Sequence, residues 1–172
     1  MSLGLIHKKA FLDKLFYDVG KQNYDFFLAG TFLQKDGIIG FSKWKKFSEC
    51  VFPIDFDGSC SSAWKKQKFF EQINQRSILP FELVLDLEDP KKLEEIKNKL
   101  INLNLPFEIW TAGKGYHFHI LFNEEIPEEN KLFYLKNFDV DIQKASKKTM
   151  IALEGVPHWK SGKIKECIWK QI

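Results

Sequence analysis

The segment Phe81-Glu82-Leu83-Val84-Leu85-Asp86-Leu87-Glu88 is an apolar run that ends in two carboxylates. Because successive side chains of a β-strand point to opposite faces, alternate residues from Phe81 to Leu87 predict one apolar face. Asp86 and Glu88 then share the other face. Two carboxylates one pleat apart are costly to hold together unless a cation lies between them. A divalent metal ion, which takes oxygen ligands, is the obvious cation, so this strand end is a candidate catalytic site.

The elements predicted around this strand follow the order β-α-β-β-α-β. Asp89-Pro90 supplies an N-cap and a first-turn proline for a helix that runs to about Asn102. Further strands are predicted at Phe107–Thr111, Tyr116–Phe122 and Phe138–Ile142, with the turn Gly113-Lys114-Gly115 between the first two and a second helix from Pro127. This order is the split βαβ pattern, so we expect an α+β fold with an RRM-like sheet. Helices should cover one face and leave the other open to a substrate, and the strands that flank the first helix should be parallel.

The N-terminal half predicts a separate α/β portion. Its expected elements are a helix over Phe11–Val19, strands at Phe26–Leu33 and Ile38–Phe41, a helix over Phe41–Val51 and a loop over Pro53–Ser62. We therefore expect a single domain over residues 1–172. In it an N-terminal α/β extension, about 1–78, packs on the RRM-like portion, about 79–172.

Polar residues alternate in the same way on three of the predicted strands. They are Asp86 and Glu88, His117 and His119, and Asp139 and Asp141. If these strands pair in the split βαβ topology, the six side chains can converge on the open face of the sheet.

Composition excludes several classes of protein. The 172 residues carry a net charge of only +3, which permits a nucleic-acid partner without arguing for one. The three cysteines, Cys50, Cys60 and Cys167, show no C-x-x-C spacing and fit neither a disulfide framework nor a zinc site. A reducing, cytoplasmic setting is therefore expected. No apolar stretch approaches the ~18 residues of a membrane span, so no membrane partner is expected.

Two later segments have a composition that suits phosphate. In Thr111-Ala112-Gly113-Lys114-Gly115-Tyr116-His117 a lysine between two glycines occupies a hairpin turn, which exposes backbone N–H groups together with one cation. His117 follows and can donate to the same phosphates. In Glu154–Gly162 the residues His158 and Lys160 stand in a loop that contains glycine and proline. Alone, each segment is also compatible with a plain polar turn.

Taken in order, these segments resemble the motifs of the archaeo-eukaryotic primase superfamily, in particular those of the catalytic (small) subunit of DNA primase. The matching parts are the acidic strand end, Thr111–His117, Asp141 and Glu154–Gly162. Residues 26–41 and Gly58–Trp64 also look like the N-terminal region of that family, so the resemblance covers most of the chain from residue 11. The chain departs from the family in having Glu88 in place of a second Asp and in lacking the cysteines of a zinc-binding knob.

The resemblance implies a primase palm that catalyses template-directed nucleotidyl transfer, making or extending primers on single-stranded DNA. It implies that Asp86, Glu88 and Asp141 hold two Mg²⁺ or Mn²⁺ ions, with Asp139 as the alternative third ligand, and that no zinc is bound. Its nucleotide-binding residues would be Thr111, Lys114, His117, His158 and Lys160. The implied partners are nucleoside triphosphates, a single-stranded DNA template, and a large primase subunit or another replication protein.

Two other functions are compatible with the residues. His117-Phe118-His119 has the His-hydrophobic-His form of rolling-circle replication nucleases, which share the RRM-like fold. Tyr134, on the second predicted helix, would then be the nucleophile. Alternatively, aromatic residues on an open RRM-like sheet can stack bases without any chemistry, which describes a non-catalytic protein that binds nucleotides or nucleic acid.

Overall fold

The described residues form an α+β chain with two antiparallel sheets and few helices. A computed structural model describes residues 10–12, 14, 15, 17, 25–33, 37, 39–41, 44–49, 73–146 and 149–171. The chain forms two compact units, each made of two stretches: Met1–Ser77 with Ile151–Gly162, and Ile78–Met150 with Lys163–Ile172. No helix within the described ranges is long and apolar enough to cross a bilayer.

The sheet of the first unit has the strand order β2-β1-β4-β8, and β3 pairs with β1 at its other end. Its strands are β1 (Phe27–Leu33), β2 (Ile39–Phe41), β3 (Lys45–Lys46), β4 (Ile73–Ser77) and β8 (Met150–Ala152). The two strands predicted for this region are confirmed as β1 and β2. The described residues of the predicted first helix, which are 11, 12, 14, 15 and 17, are helical. The predicted loop Pro53–Ser62 and the segment Gly58–Trp64 lie outside the described residues.

The helix predicted over Phe41–Val51 is wrong where the chain is described. Lys45–Lys46 forms β3, and Phe47–Glu49 forms a single 3-10 turn. The reason is tertiary: the buried Phe47 ring stacks on Phe26, with centroids 4.9 Å apart. The Phe47 N–H also donates to the Phe26 carbonyl oxygen at 2.9 Å. These contacts hold the segment against the start of β1, where sheet pairing outweighs the helical spacing of its aromatic residues.

The sheet of the second unit has the order β5-β7-β6-β9, and all neighbouring strands are antiparallel. Its elements are β5 (Glu82–Leu87), α1 (Leu93–Asn102), β6 (Phe107–Thr111), β7 (Tyr116–Leu121), α2 (Glu128–Asn137) and β9 (Cys167–Gln171). Because β7 pairs antiparallel with both β5 and β6, those two strands run in the same direction, as predicted.

One face of this sheet is the apolar core that the alternation predicted. Leu83, Leu85 and Leu87 are buried together with side chains of β6, β7, α1 and α2. The start of the first helical segment is also as predicted: Pro90–Lys92 forms a 3-10 turn that leads into α1, and the Asp89 side chain accepts the Lys91 N–H at 3.0 Å.

The strand predicted at Phe138–Ile142 is wrong. The Asp139 backbone is left-handed, with φ of 55°, and ends α2. The Val140 N–H donates to the Leu135 carbonyl and the Asp139 N–H to the Lys136 carbonyl, which is the Schellman pattern of a helix C-terminus. A 3-10 helix over Ile142–Ala145 follows. The fourth strand of the sheet is β9, which pairs with β6 at the edge away from β5.

Candidate functional site

The second face of the β5-β7-β6 sheet carries a row of polar side chains. Asp86 pairs across the ladder with His117, and His117 pairs with Trp110 on β6. One pleat further along, His119 pairs with Glu108. The structure thus brings together Asp86 and His117, two of the residues that the sequence predicted for one site.

Asp86 is an ionised carboxylate with a donor near each oxygen. Its Oδ1 lies 3.4 Å from His117 Nε2, and its Oδ2 lies 3.9 Å from Lys144 Nζ. Burial alone would raise the pKa of Asp86. The hydrogen bond from His117 and the positive charges near it, including Lys144 and Lys165, outweigh burial and leave the pKa below its ordinary value.

His117 is neutral at physiological pH. Burial, followed by the positive charge of Lys165, lowers the pKa of His117 from 6.5 to about 4, despite its bond to Asp86. Because an ionised carboxylate only accepts hydrogen bonds, the proton of the neutral ring lies on Nε2. The Nδ1 lone pair is buried and finds no hydrogen-bond partner in the described part of the chain. His117 therefore offers a ligand no positive charge, and its one N–H is directed at Asp86.

The glycine turn lies directly against the acidic strand end. The Ala112 N–H donates to the Gly115 carbonyl at 2.9 Å and closes the turn. A Cβ on Gly115 would stand 1.9 Å from the Leu87 carbonyl oxygen and 3.2 Å from Glu88 Cα. Only glycine allows so close an approach. Exposed Lys114 at the turn and exposed Glu88 after β5 therefore belong to one local surface.

Thr111 has a structural role in this arrangement. Its N–H donates to the Glu166 carbonyl, and its hydroxyl accepts the Glu166 N–H, both at 2.8 Å. The hydroxyl also lies 3.3 Å from the Ile164 carbonyl, to which it donates. Thr111 thus ties the segment before β9 to the end of β6.

The structure does not bring either proposed third acid to Asp86. Exposed Asp141 caps the 3-10 helix by accepting the Gln143 N–H at 3.0 Å. Asp139 accepts from Lys92 Nζ at 2.9 Å, and this contact lowers the pKa of Asp139. Across residues 73–146, 149–171 and the shorter described ranges, no group of three or more His, Cys, Asp or Glu side chains could hold a metal ion. The donors at Asp86 therefore do not fit a two-ion site in this arrangement.

His158 and Lys160 lie in the first unit, whereas the acidic strand end and the glycine turn lie in the second. His158 Nδ1 accepts the Lys160 N–H at 3.1 Å and the Ser161 N–H at 3.4 Å. The His158 ring stacks on Trp159, with centroids 4.1 Å apart. Burial and the charge of Lys160 lower the pKa of His158, so its ring is mainly neutral at pH 7.

Three buried charged or polar side chains form a connected row that the sequence did not predict. Glu82 Oε2 lies 2.9 Å from His119 Nδ1, and His119 Nε2 lies 3.1 Å from Lys165 Nζ. All three residues are at most 4% exposed. Strand alternation did place Glu82 on the face of Asp86, but no sequence signal pointed to Lys165.

The expectation of an open second face is wrong along β5 and β7. Glu82, Val84, His117 and His119 are all buried there, whereas the Asp86 side chain keeps 23% of its surface exposed. Along β5 and β7, access to this face is therefore concentrated at the acidic end of β5.

The geometry does not favour the nuclease interpretation. Both nitrogens of His119 have partners, so binding a metal would break the contact to Glu82 or to Lys165. Tyr134 packs against the apolar core on the helix-covered face of the sheet, opposite the face that carries His117 and His119. A metal held by the two histidines would lie beyond its reach.

Comparison with known proteins provides no relative. No protein-family model matches this chain, and no curated protein or solved structure matches it at a significant level.

Proposed function

We propose that this chain is a primase-type nucleotidyltransferase that makes or extends primers on a single-stranded DNA template. The observation that carries the proposal is the packing of Gly115 on the Leu87 backbone. It places a turn suited to phosphate beside Asp86-Leu87-Glu88, in the chain order that primase motifs follow. The proposal takes the second unit as an RRM-like palm, supported by the order β5-β7-β6 of its first three strands.

The chain's own residues suit the binding of a nucleoside triphosphate. Lys114 and the backbone N–H groups of its turn would hold phosphate oxygens. Neutral His117 would keep Asp86 in position through its Nε2–H, and ionised Asp86 with Glu88 would face the reacting end. Single-stranded DNA is the proposed template, and a large primase subunit or another replication protein is the proposed partner.

Mg²⁺ or Mn²⁺ is the cofactor that a primase-type reaction would use, because two such ions activate the attacking hydroxyl and stabilise the leaving pyrophosphate. The resemblance to primases would make Asp86, Glu88 and Asp141 the ligands of these ions. Asp141 instead accepts the Gln143 N–H through Oδ1. Since the donors do not form that site in this arrangement, no step is assigned to a metal ion.

The second candidate is a non-catalytic protein that binds nucleotides or nucleic acid. One observation favours it: among the described residues, Asp86 has Lys144 near it and no third carboxylate that could complete a metal site. Such a protein would bind nucleoside triphosphates whether or not Mg²⁺ or Mn²⁺ is present.

Primer synthesis by the purified chain tests the proposal. Mn²⁺, single-stranded template and all ribo- and deoxynucleoside triphosphates are supplied, with and without a primer. We expect labelled products from the wild type and none from Asp86→Ala, while the control Glu94→Ala, an exposed acid on α1, keeps activity. Circular dichroism checks that each variant is folded. Nucleotide binding without product would select the non-catalytic candidate, and neither binding nor product would reject both.

A further inference from the structure

The 3-10 helix after α2 brings a lysine to Asp86. Ala145 anchors this helix in the apolar core beneath β5. Asp141 caps its first turn, and the Thr149 hydroxyl donates to the Gln143 carbonyl at 2.7 Å. Lys144 is held between these anchors, with Nζ 3.9 Å from Asp86 Oδ2 and only 17% of its side chain exposed. The position of the Lys144 side chain beside Asp86 is therefore fixed by the surrounding structure.

A divalent ion would be unfavourable at the same carboxylate. Metal–oxygen bonds to such ions are about 2.0–2.6 Å long. An ion on Asp86 Oδ2 would then stand within about 6.5 Å of the Lys144 ammonium group and be repelled by it. Lys165 adds a second buried positive charge that acts on both Asp86 and His117.

An ammonium group can perform part of the task of a metal ion. It carries positive charge and three N–H donors, so it can bind a carboxylate and a phosphate oxygen at once. Asp86 would hold Lys144 in place through Oδ2 while His117 holds Oδ1. The remaining N–H groups of Lys144 would then be available to an anion.

We propose that the Lys144 ammonium group takes the place of a divalent metal ion at Asp86, and that this site binds a polyphosphate chain directly through lysine. The identity of the ligand as a nucleoside triphosphate rests on the proposed function. The replacement of a metal ion by Lys144 does not depend on that function. Binding by Lys144 and Lys114 would require no Mg²⁺ or Mn²⁺.

Calorimetry with inorganic tripolyphosphate and with ATP, in EDTA, tests the binding. We expect the wild type to bind both probes and Lys144→Met to bind them about tenfold or more weakly, as expected for loss of one charge-assisted contact. Lys136→Met removes the same charge from an exposed position on α2 and should change nothing. Lys144→Arg, which restores the charge, should recover most of the affinity.

Electron paramagnetic resonance, which measures the binding of Mn²⁺, tests whether Lys144 replaces a metal ion at Asp86. The wild type should show no tight site, whereas Lys144→Glu supplies a third carboxylate and should bind Mn²⁺ at least about tenfold more tightly. Asp86→Asn should cancel that gain, and Lys136→Glu should show none. A wild-type Mn²⁺ site that Asp86→Asn removes and Lys144 variants leave unchanged would overturn the proposal.

The outcomes separate this proposal from the proposed function. Polyphosphate binding that depends on Lys144, without primer synthesis, supports the lysine site and rejects the enzyme. Binding that requires Mn²⁺ and ignores Lys144→Met rejects the lysine site and leaves the enzyme standing. No binding of either probe in any buffer rejects both.

Discussion

His117 lies directly opposite Asp86 across the β5–β7 ladder, with its Nε2 3.4 Å from Asp86 Oδ1. The pKa of His117 is about 4 in the folded chain and 6.5 ordinarily, so the unfolded chain binds more protons between these pH values. Stability from neutral His117 is therefore fully present above pH 6.5 and is lost as the pH falls toward 4. The pair is thus a source of acid sensitivity.

We expect the free energy of unfolding of the wild type to fall by on the order of 2 kcal/mol between pH 7 and pH 5 because His117 takes up a proton on unfolding. The free energy of unfolding of His117→Gln should fall less. Urea denaturation at the two pH values measures the difference. The control is Lys136→Gln, which changes an exposed side chain and should follow the wild type. Equal losses in the wild type and His117→Gln would contradict the assignment of a neutral, buried His117.

Gly115→Ala should disrupt the contact between the glycine turn and β5. The new Cβ would meet the Leu87 carbonyl oxygen at 1.9 Å, and backbone cannot move aside as a flexible side chain can. We expect a loss of about 2 kcal/mol or more in the free energy of unfolding, the usual cost of overpacking. Lys114→Ala, on the exposed neighbour, should stay within about 0.5 kcal/mol of the wild type. Thermal denaturation compares the two, and an undiminished Gly115→Ala would show that the turn does not pack on β5.

Arg76 and Glu154 form a buried ion pair in the first unit. Arg76 Nε and Nη2 donate to the Glu154 carboxylate at 2.7–3.2 Å, and both residues are 2% exposed. Arg76→Met leaves a buried carboxylate without its main partner and should cost about 3–5 kcal/mol. The double variant Arg76→Met/Glu154→Leu should recover much of that loss, because no buried charge remains. Chemical denaturation measures both, and additive losses in the double variant would show that the two charges are not coupled.

Tyr134 should take no part in DNA chemistry. It packs on the core face of the sheet, away from His117 and His119. We therefore expect no covalent tyrosine–phosphate adduct when labelled single-stranded DNA and Mn²⁺ are incubated with the protein and resolved on a denaturing gel. Tyr134→Phe should match the wild type in every assay. An adduct that Tyr134→Phe abolishes would instead establish the nuclease function.

Local patterns predicted much of the second unit because its strands and helix starts are set by short-range rules. Alternation over residues 81–88 identified β5 and its apolar face, and Asp89-Pro90 located the start of the segment that leads into α1. The polar face was predicted with the right residues, Asp86 and His117. Its burial was not, because which parts of a face are covered depends on contacts distant in sequence.

The wrong strand at Phe138–Ile142 has a specific physical origin. Phe138, Val140 and Ile142 alternate with two Asp residues and therefore imitate a strand. The same residues also fit a helix ending, in which a polar residue (Asp139) has a left-handed backbone and an apolar residue (Val140) follows it. Asn104, with φ of 53°, and Leu105 end α1 in the same way, and the Leu105 N–H donates to the Leu100 carbonyl. Recognition of this shared helix ending would have argued against the predicted strand and against a third metal ligand on it.

Both units take their second stretch of chain from beyond Met150. The strands β8 and β9, each at the edge of its sheet, therefore leave the ribosome after β4 and β6, the strands with which they pair. Until then β4 and β6 carry open edges in the nascent chain, and open edges invite pairing with other chains. The yield of correctly folded protein should consequently depend on the supply of chaperones during synthesis, even if the folded protein is stable.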